Sequence, residues 1–183
     1  MKKVILLGDS IRLIGYGPIV PALLGGYEVW QPADNGRYSV YTLHALMHYW
    51  QNEIRDADVI HWNNGLWDVQ YGTDGKPLMS LDYYVLTMER IADLLLKNAK
   101  TVIFASTTPV TAVHPNILSA DIERYNAAII PVLREKGVVI DDLYALVAAD
   151  IDRYVRKDDN IHLTEEGNTV CAEQVSEIIR RMA

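Results

Sequence analysis

A chain of 183 residues, 50% hydrophobic and 22% charged, can build one globular domain over residues 1–183 around a sizeable core. A formal net charge of -7 argues against a nucleic-acid partner, because no basic block or stripe is present to neutralise phosphates. The single cysteine, Cys171, excludes an intramolecular disulfide and a cysteine-based metal cluster.

Lys3-Val4-Ile5-Leu6-Leu7 is a short apolar run that reads as a buried parallel strand, and it stops at Gly8-Asp9-Ser10. That stop comes too early for a signal peptide, and no stretch approaches membrane-spanning length. The expectation is a cytoplasmic chain without a membrane partner. Ile11 to Pro18 reads as a glycine-punctuated turn, and Pro18 opens a short helix ending near Leu24. Tyr27 to Trp30 is a second strand. Val40 to about Glu53 has Leu43, Leu46, Met47 and Trp50 at helical spacing.

Ala57 to Trp62 is the third strand, followed by Asn63-Asn64-Gly65 and then a Gly, Asp and Pro loop. A long helix is predicted over 81–97, with Leu86, Ile91, Leu94 and Leu95 inward. Thr101 to Ser106 is the fourth strand. A helix over 120–135, capped near Ser119 or Asp121, is expected to kink or break at Pro131. Val138 to Ile140 is a fifth strand and Asp142 to Ala149 a helical segment. The last helix starts near Thr164, with Val170, Cys171, Val175, Ile178 and Ile179 inward, so Cys171 reads as a core residue. Strands alternating with helices at this spacing give a three-layer α/β/α sandwich around a central, mainly parallel five-stranded sheet.

In such a sheet the ends of the parallel strands share one edge, where open α/β folds place their ligands. Four polar segments converge there: Asp9-Ser10, Asn35-Gly36, Asn63-Asn64-Gly65 and Asp158-Asp159-Asn160-Ile161-His162. A serine hydroxyl needs a base to take its proton, and the base needs an acid to fix its tautomer. His162 with Asp159 supplies both from one loop, with Ser10 as nucleophile. The backbone N–H of Ser10, the N–H of Gly36 and the side-chain amide of Asn63 offer three donors to a developing oxyanion. Losing one such donor typically costs ~100- to 1,000-fold in rate.

Gly8-Asp9-Ser10, Gly36, Asn63 and Asp159-Ile161-His162 resemble the successive blocks of the SGNH/GDSL hydrolase family, in order and across almost the whole chain. The resemblance implies a flavodoxin-like sandwich with Ser10 as nucleophile, His162 as base and Asp159 as its orienting acid. It implies an oxyanion hole of Ser10, Gly36 and Asn63. The family's third block usually reads Gly-x-Asn-Asp, whereas this chain has Asn63-Asn64-Gly65-Leu66-Trp67-Asp68, a form resembling a branch with carbohydrate O-deacetylases. Asn63, first after the strand, is taken over Asn64 as the donor. The implied reaction is hydrolysis of a small-molecule ester, an acetylated saccharide first, without metal or organic cofactor. Lysophospholipase or thioesterase activity is the alternative within the family. A non-catalytic sugar- or nucleotide-binding module is the rival outside it.

Arg12 and Trp67 are the candidate substrate contacts, Arg12 for an anionic group or else a partner for a surface acid. Trp62, Tyr16 and Tyr38 also flank the site, as sugar platforms or as ordinary core. His44 and His48 stand one helical turn apart, but no glutamate follows His44 and no metal site is expected. His61, within a strand, reads as packed.

Overall fold

A computed structural model describes all 183 residues. Five strands form one sheet in the order β2-β1-β3-β4-β5, every pair parallel. They are β1 (Lys2–Leu7), β2 (Tyr27–Trp30), β3 (Ala57–Trp62), β4 (Ala99–Ala105) and β5 (Val139–Asp141). The central position of β1 follows from its composition. Val4, Ile5, Leu6 and Leu7 are all fully buried, which only a strand covered on both faces allows. Each such side chain contributes about 1.5–3 kcal/mol of apolar burial.

The helices are α1 (Val20–Leu23), α2 (Ser39–His48), α3 (Leu81–Leu96), α4 (Ser119–Glu135), α5 (Leu143–Ala148), α6 (Ile151–Tyr154) and α7 (Glu165–Met182). No helix is long and apolar enough to cross a membrane. The sandwich and its strand count agree with the sequence reading, but several local expectations need correction. Ile11–Tyr16 is a wide π-type helical turn, with Gly15 out of helical conformation, rather than a plain turn. α2 ends at His48, where the Tyr49 and Trp50 N–H groups both donate to Ala45 O and the chain turns to bury Trp50 and Ile54. In α3 the inward face is Tyr84, Met88, Ile91, Ala92 and Leu95, while Leu86 faces solvent. α4 runs unbroken through Pro131. Its N-cap is Leu118, and the Ser119 hydroxyl donates to Val110 O instead of capping.

α7 begins as expected. Thr164 is its N-cap, and the Thr164 hydroxyl accepts from Gly167 N–H at 3.0 Å. Cys171 is buried on its inner face, against the sheet. α7 thereby fixes the loop just before it, which carries His162.

Candidate active site

The C-terminal ends of β1 and β3 and the loop before α7 meet at one edge of the sheet. Ser10 Oγ lies 2.9 Å from His162 Nε2, and His162 Nδ1 lies 2.9 Å from Asp159 Oδ2. A carboxylate facing Nδ1 holds the proton there and leaves the Nε2 lone pair toward the serine hydroxyl. Asp159 Oδ1 accepts the N–H groups of Ile161 and His162 at 3.1 and 3.0 Å. Burial alone would raise the Asp159 pKa. The hydrogen bonds from the His162 ring and from these two N–H groups outweigh it and hold the carboxyl at about 2. Asn160, at φ +64, turns the chain between acid and base. Asparagine tolerates that left-handed backbone better than most residues. The Thr111 hydroxyl, from the loop after β4, donates to Asn160 Oδ1 at 2.7 Å and Thr111 N–H donates to Asn160 O at 3.1 Å.

At the end of β1, Asp9 is fully buried. It accepts Ile11 N–H at 2.9 Å and the Asn63 amide N–H at 2.8 Å. Leu13 N–H returns to the Asp9 carbonyl, so the turn's own bonds pass over the Ser10 N–H. Asn63 Nδ2 keeps one further hydrogen after Asp9 has taken the first. The Asn63 side chain lies directly over Gly8, whose φ is +154. A Cβ there would sit 1.8 Å from Asn63 Oδ1, so only glycine fits. Asn64 is spent on structure: its Oδ1 accepts the Trp62 indole N–H at 2.9 Å and its Nδ2 donates to Arg37 O at 3.0 Å.

Two expected site residues take other parts. Gly36 lies beside Gly8, but its N–H donates to Gly8 O at 2.8 Å and is not free for an oxyanion. What the glycine supplies is close approach, since a Cβ would stand 2.7 Å from Gly8 O. Arg12 does not reach the surface. It is fully buried, with Nη1 donating to Pro32 O at 2.8 Å and Nη2 to Gly8 O and Asp34 O at 3.1 and 2.7 Å. It fastens the loop after β2 to the end of β1. Trp62 and Tyr16 are fully buried too, whereas Tyr38 is half-buried and Trp67 is 36% exposed.

Asp68 was not singled out by sequence beyond its block. It is buried and accepts the Ser39 N–H at 3.0 Å and the Ser39 hydroxyl at 2.6 Å, tying the Asn63 loop to the start of α2. Burial, reinforced by the nearby Asp9 charge against the Ser39 hydrogen bonds, pushes its carboxyl up to about 7.

Two cavities flank this edge. One of ≈ 50 Å³ opens on Ser10 and His162 and is closed by Ile11, Gly15, Leu163 and Asn168. The other, ≈ 440 Å³, lies along Tyr38, Trp67, Gln70, Tyr71, Asp74 and Lys76.

Neither a family model nor a curated protein matches the sequence. Solved structures match it closely in fold. A lipase/acylhydrolase from Enterococcus faecalis superposes with a TM-score of 0.81 at 18% identity, over 98% of this chain and 95% of the other. An acetylxylan esterase from Geobacillus stearothermophilus gives 0.81 at 16% identity, over 96% and 93%. A GDSL-like lipase from Bacteroides thetaiotaomicron gives 0.74 at 19% identity, over 100% and 89%. The chain has the fold of the SGNH/GDSL hydrolases.

Proposed function

We propose that this protein is a serine esterase that hydrolyses small acyl esters, acetyl esters first, with a saccharide as the alcohol. The observation that carries this reading is the unbroken line Ser10 Oγ–His162 Nε2 and His162 Nδ1–Asp159 Oδ2, each step 2.9 Å. Solved structures of the Geobacillus stearothermophilus esterase include catalytic mutants with a serine or a histidine changed to alanine, which supports the same pairing here.

In this reading His162 Nε2 takes the Ser10 proton as Oγ attacks the ester carbonyl carbon. The electron pair moves onto the carbonyl oxygen, which accepts hydrogen bonds from Ser10 N–H and Asn63 Nδ2–H. The intermediate collapses, the carbon–alkoxide bond breaks, and His162 Nε2–H protonates the leaving alkoxide. Water then enters. His162 takes one of its protons, the hydroxide attacks the acyl-Ser10 carbonyl, and the carboxylic acid leaves as Oγ regains its proton. Asp159 stays ionised throughout and stabilises the imidazolium.

The ≈ 50 Å³ cavity at Ser10 favours an acetyl-sized group over the long chains of a lysophospholipase or acyl thioesterase. The wider aromatic cleft and the acetylxylan esterases among the fold neighbours favour a saccharide on the alcohol side. The test is turnover of an aryl acetate by wild type, Ser10→Ala and His162→Ala, followed by a series of longer acyl esters. Both variants should lose about 1,000-fold or more in kcat, and the two losses should not add. Equal rates for wild type and Ser10→Ala would leave a binding module.

A further inference from the structure

A line of buried polar groups runs away from the site, and no step of the hydrolysis uses it. The Tyr16 hydroxyl, at the end of the wide turn that follows Ser10, donates to Asn63 Oδ1 at 3.1 Å. His61, on β3 two residues before Asn63, brings Nδ1 to 3.5 Å from the same phenol oxygen, with the two rings edge-on at 86°. Its Nε2 lies 3.0 Å from Asp141 Oδ2 at the end of β5, and the Gln174 amide of α7 donates to Asp141 Oδ1 at 2.6 Å. Tyr16 and His61 are fully buried and Asp141 nearly so.

A core can be filled with apolar side chains at no loss of stability, often at a gain, so a chain of polar ones calls for a reason. Its near end supplies one. The Asn63 amide has two orientations of almost equal shape, and only one turns N–H toward the carbonyl of a substrate. The reversed orientation would set the amide oxygen against the Asp9 carboxyl. It would also set the amide nitrogen, a donor, against the Tyr16 hydroxyl, whose proton would have to turn from a partner at 3.1 Å to His61 Nδ1 at 3.5 Å. Asp9 alone cannot hold the amide, because burial raises its pKa and a protonated Asp9 could donate to an amide oxygen as readily as accept from an amide N–H. The Tyr16 hydroxyl keeps its proton, because burial holds its phenol well above the usual range, so it always has a hydrogen to donate to the amide oxygen. Asn63 Oδ1 is the nearer of its two neighbours, and that proton points at the amide.

We propose that Tyr16, braced by His61 and Asp141, is a positioning residue that fixes the Asn63 amide with its N–H toward the oxyanion. The inference rests on Asn63 being the oxyanion donor in the reading above. It places the control of that donor in a phenol, an imidazole and a carboxyl drawn from the first turn, β3 and β5.

The experiment is a double-mutant cycle between Tyr16→Phe and Asn63→Ala, with side-chain amide spectra of nitrogen-15-labelled protein alongside. Tyr16→Phe removes one oxygen and keeps the ring. It should lower kcat on an aryl acetate by about 10- to 100-fold, a share of the ~100- to 1,000-fold expected on deleting the donor. KM should stay within about 2-fold, and the inhibition constant of a boronic acid, which forms a tetrahedral adduct on Ser10, should rise in step with the loss in kcat. In the Asn63→Ala background the same change should cost nothing further. The Asn63 amide pair, slow to exchange in wild type, should exchange faster in Tyr16→Phe. Equal costs of Tyr16→Phe in both backgrounds, or an Asn63 amide signal unmoved by it, would overturn the proposal. The amide spectra decide this even for a chain that turns over no ester, while the esterase reading stands or falls separately on Ser10→Ala.

Discussion

His162 Nε2 stands 2.9 Å from Ser10 Oγ although 152 positions separate the two residues. The sheet edge brings the segments together and a small set of backbone bonds sets the distance. Val155 and Leu163 form an isolated antiparallel bridge, Arg156 N–H donates to His162 O at 2.8 Å, and Thr164 N–H donates to Tyr154 O at 2.9 Å. The imidazole is therefore presented from a loop closed at its base by α7 and at its tip by Thr111.

The geometry at Asp159 predicts a catalytic loss without a binding loss. Its carboxyl, held at about 2, is ionised at every pH at which an esterase of this kind would be assayed. Asp159→Asn keeps the shape but presents an amide to Nδ1, which no longer selects the tautomer with Nε2 free. Steady-state kinetics on an aryl acetate should show kcat lower by about 10,000-fold at most, and by at least about 100-fold, with KM nearly unchanged. A loss under 10-fold would mean that Asp159 only shapes the loop.

Asn63 and Asn64 should separate in turnover. Asn63→Ala removes the donor and should lower kcat by about 100- to 1,000-fold, and because it also leaves buried Asp9 and Tyr16 without this partner it should cost about 1–3 kcal/mol of stability. Asn64→Ala deletes a fully buried amide that pairs with Trp62 and Arg37, so it should lower the unfolding midpoint, at a cost of about 1–3 kcal/mol. Steady-state kinetics of the folded variants check the assignment, and a loss of kcat of about 100-fold or more in Asn64→Ala but not in Asn63→Ala would move the oxyanion donor to Asn64.

Most of this site was legible because its signals are local. Ser10 ends an apolar run, Asp159 and His162 share one short loop, and Asn63 follows a strand. The parallel sheet then brings such ends together without further information. What the sequence did not reveal depends on pairs distant along the chain. Nothing near Arg12 says that three backbone carbonyls will close around it, and nothing near Gly36 says that Gly8 will take its N–H. Leu86 reads as inward by hydropathy, but packing turns Tyr84 and Met88 to the sheet instead. Pro131 predicts a break by its missing N–H, which the rest of a 17-residue helix overrides.

Arg12 should matter for stability rather than for substrate binding. Arg12→Met keeps much of the apolar stem but leaves the carbonyls of Pro32 and Asp34 without their donor and that of Gly8 with the Gly36 N–H alone. Hydrogen bonds to a charged group are each worth about 1.5–3 kcal/mol, so a net loss of a few kcal/mol is expected in urea unfolding. KM on a neutral ester should stay close to wild type in the fraction that folds. An unchanged midpoint with a raised KM would restore Arg12 as a substrate contact.

Asp68 gives the fold a pH dependence of opposite sign to the usual carboxylate. Its folded pKa is raised to about 7 from an ordinary 3.8, so between those values the folded chain holds a proton that the unfolded chain has released. Stability therefore falls as pH rises through that window, by up to about 4 kcal/mol from this group. Asp68→Asn imitates the protonated form and can still accept from Ser39. Urea unfolding at pH 5 and pH 8 should show wild type weakening toward pH 8 more than Asp68→Asn. Parallel changes in the two proteins would mean that Asp68 does not titrate in this range.

Trp67 should separate the saccharide from the ester bond. It lies four residues beyond Asn63, within ~14 Å along even a fully extended chain, and lines the ≈ 440 Å³ cleft with Tyr38 and Tyr71. An aromatic face flanked by an amide, a carboxylate and an ammonium group suits a ring that has both C–H faces and hydroxyls. The cleft is shaped by the loop over 71–77, closed by the Tyr71–Pro77 bridge and by Gly72 N–H donating to Lys76 O at 2.8 Å. Trp67→Ala should raise KM for an acetylated xylo-oligosaccharide by about 10-fold, equivalent to ~1.4 kcal/mol of binding. An aryl acetate too small to reach the cleft should keep its kcat/KM within about 2-fold. If both substrates lose equally, Trp67 acts by supporting the Asn63 loop rather than by holding a saccharide.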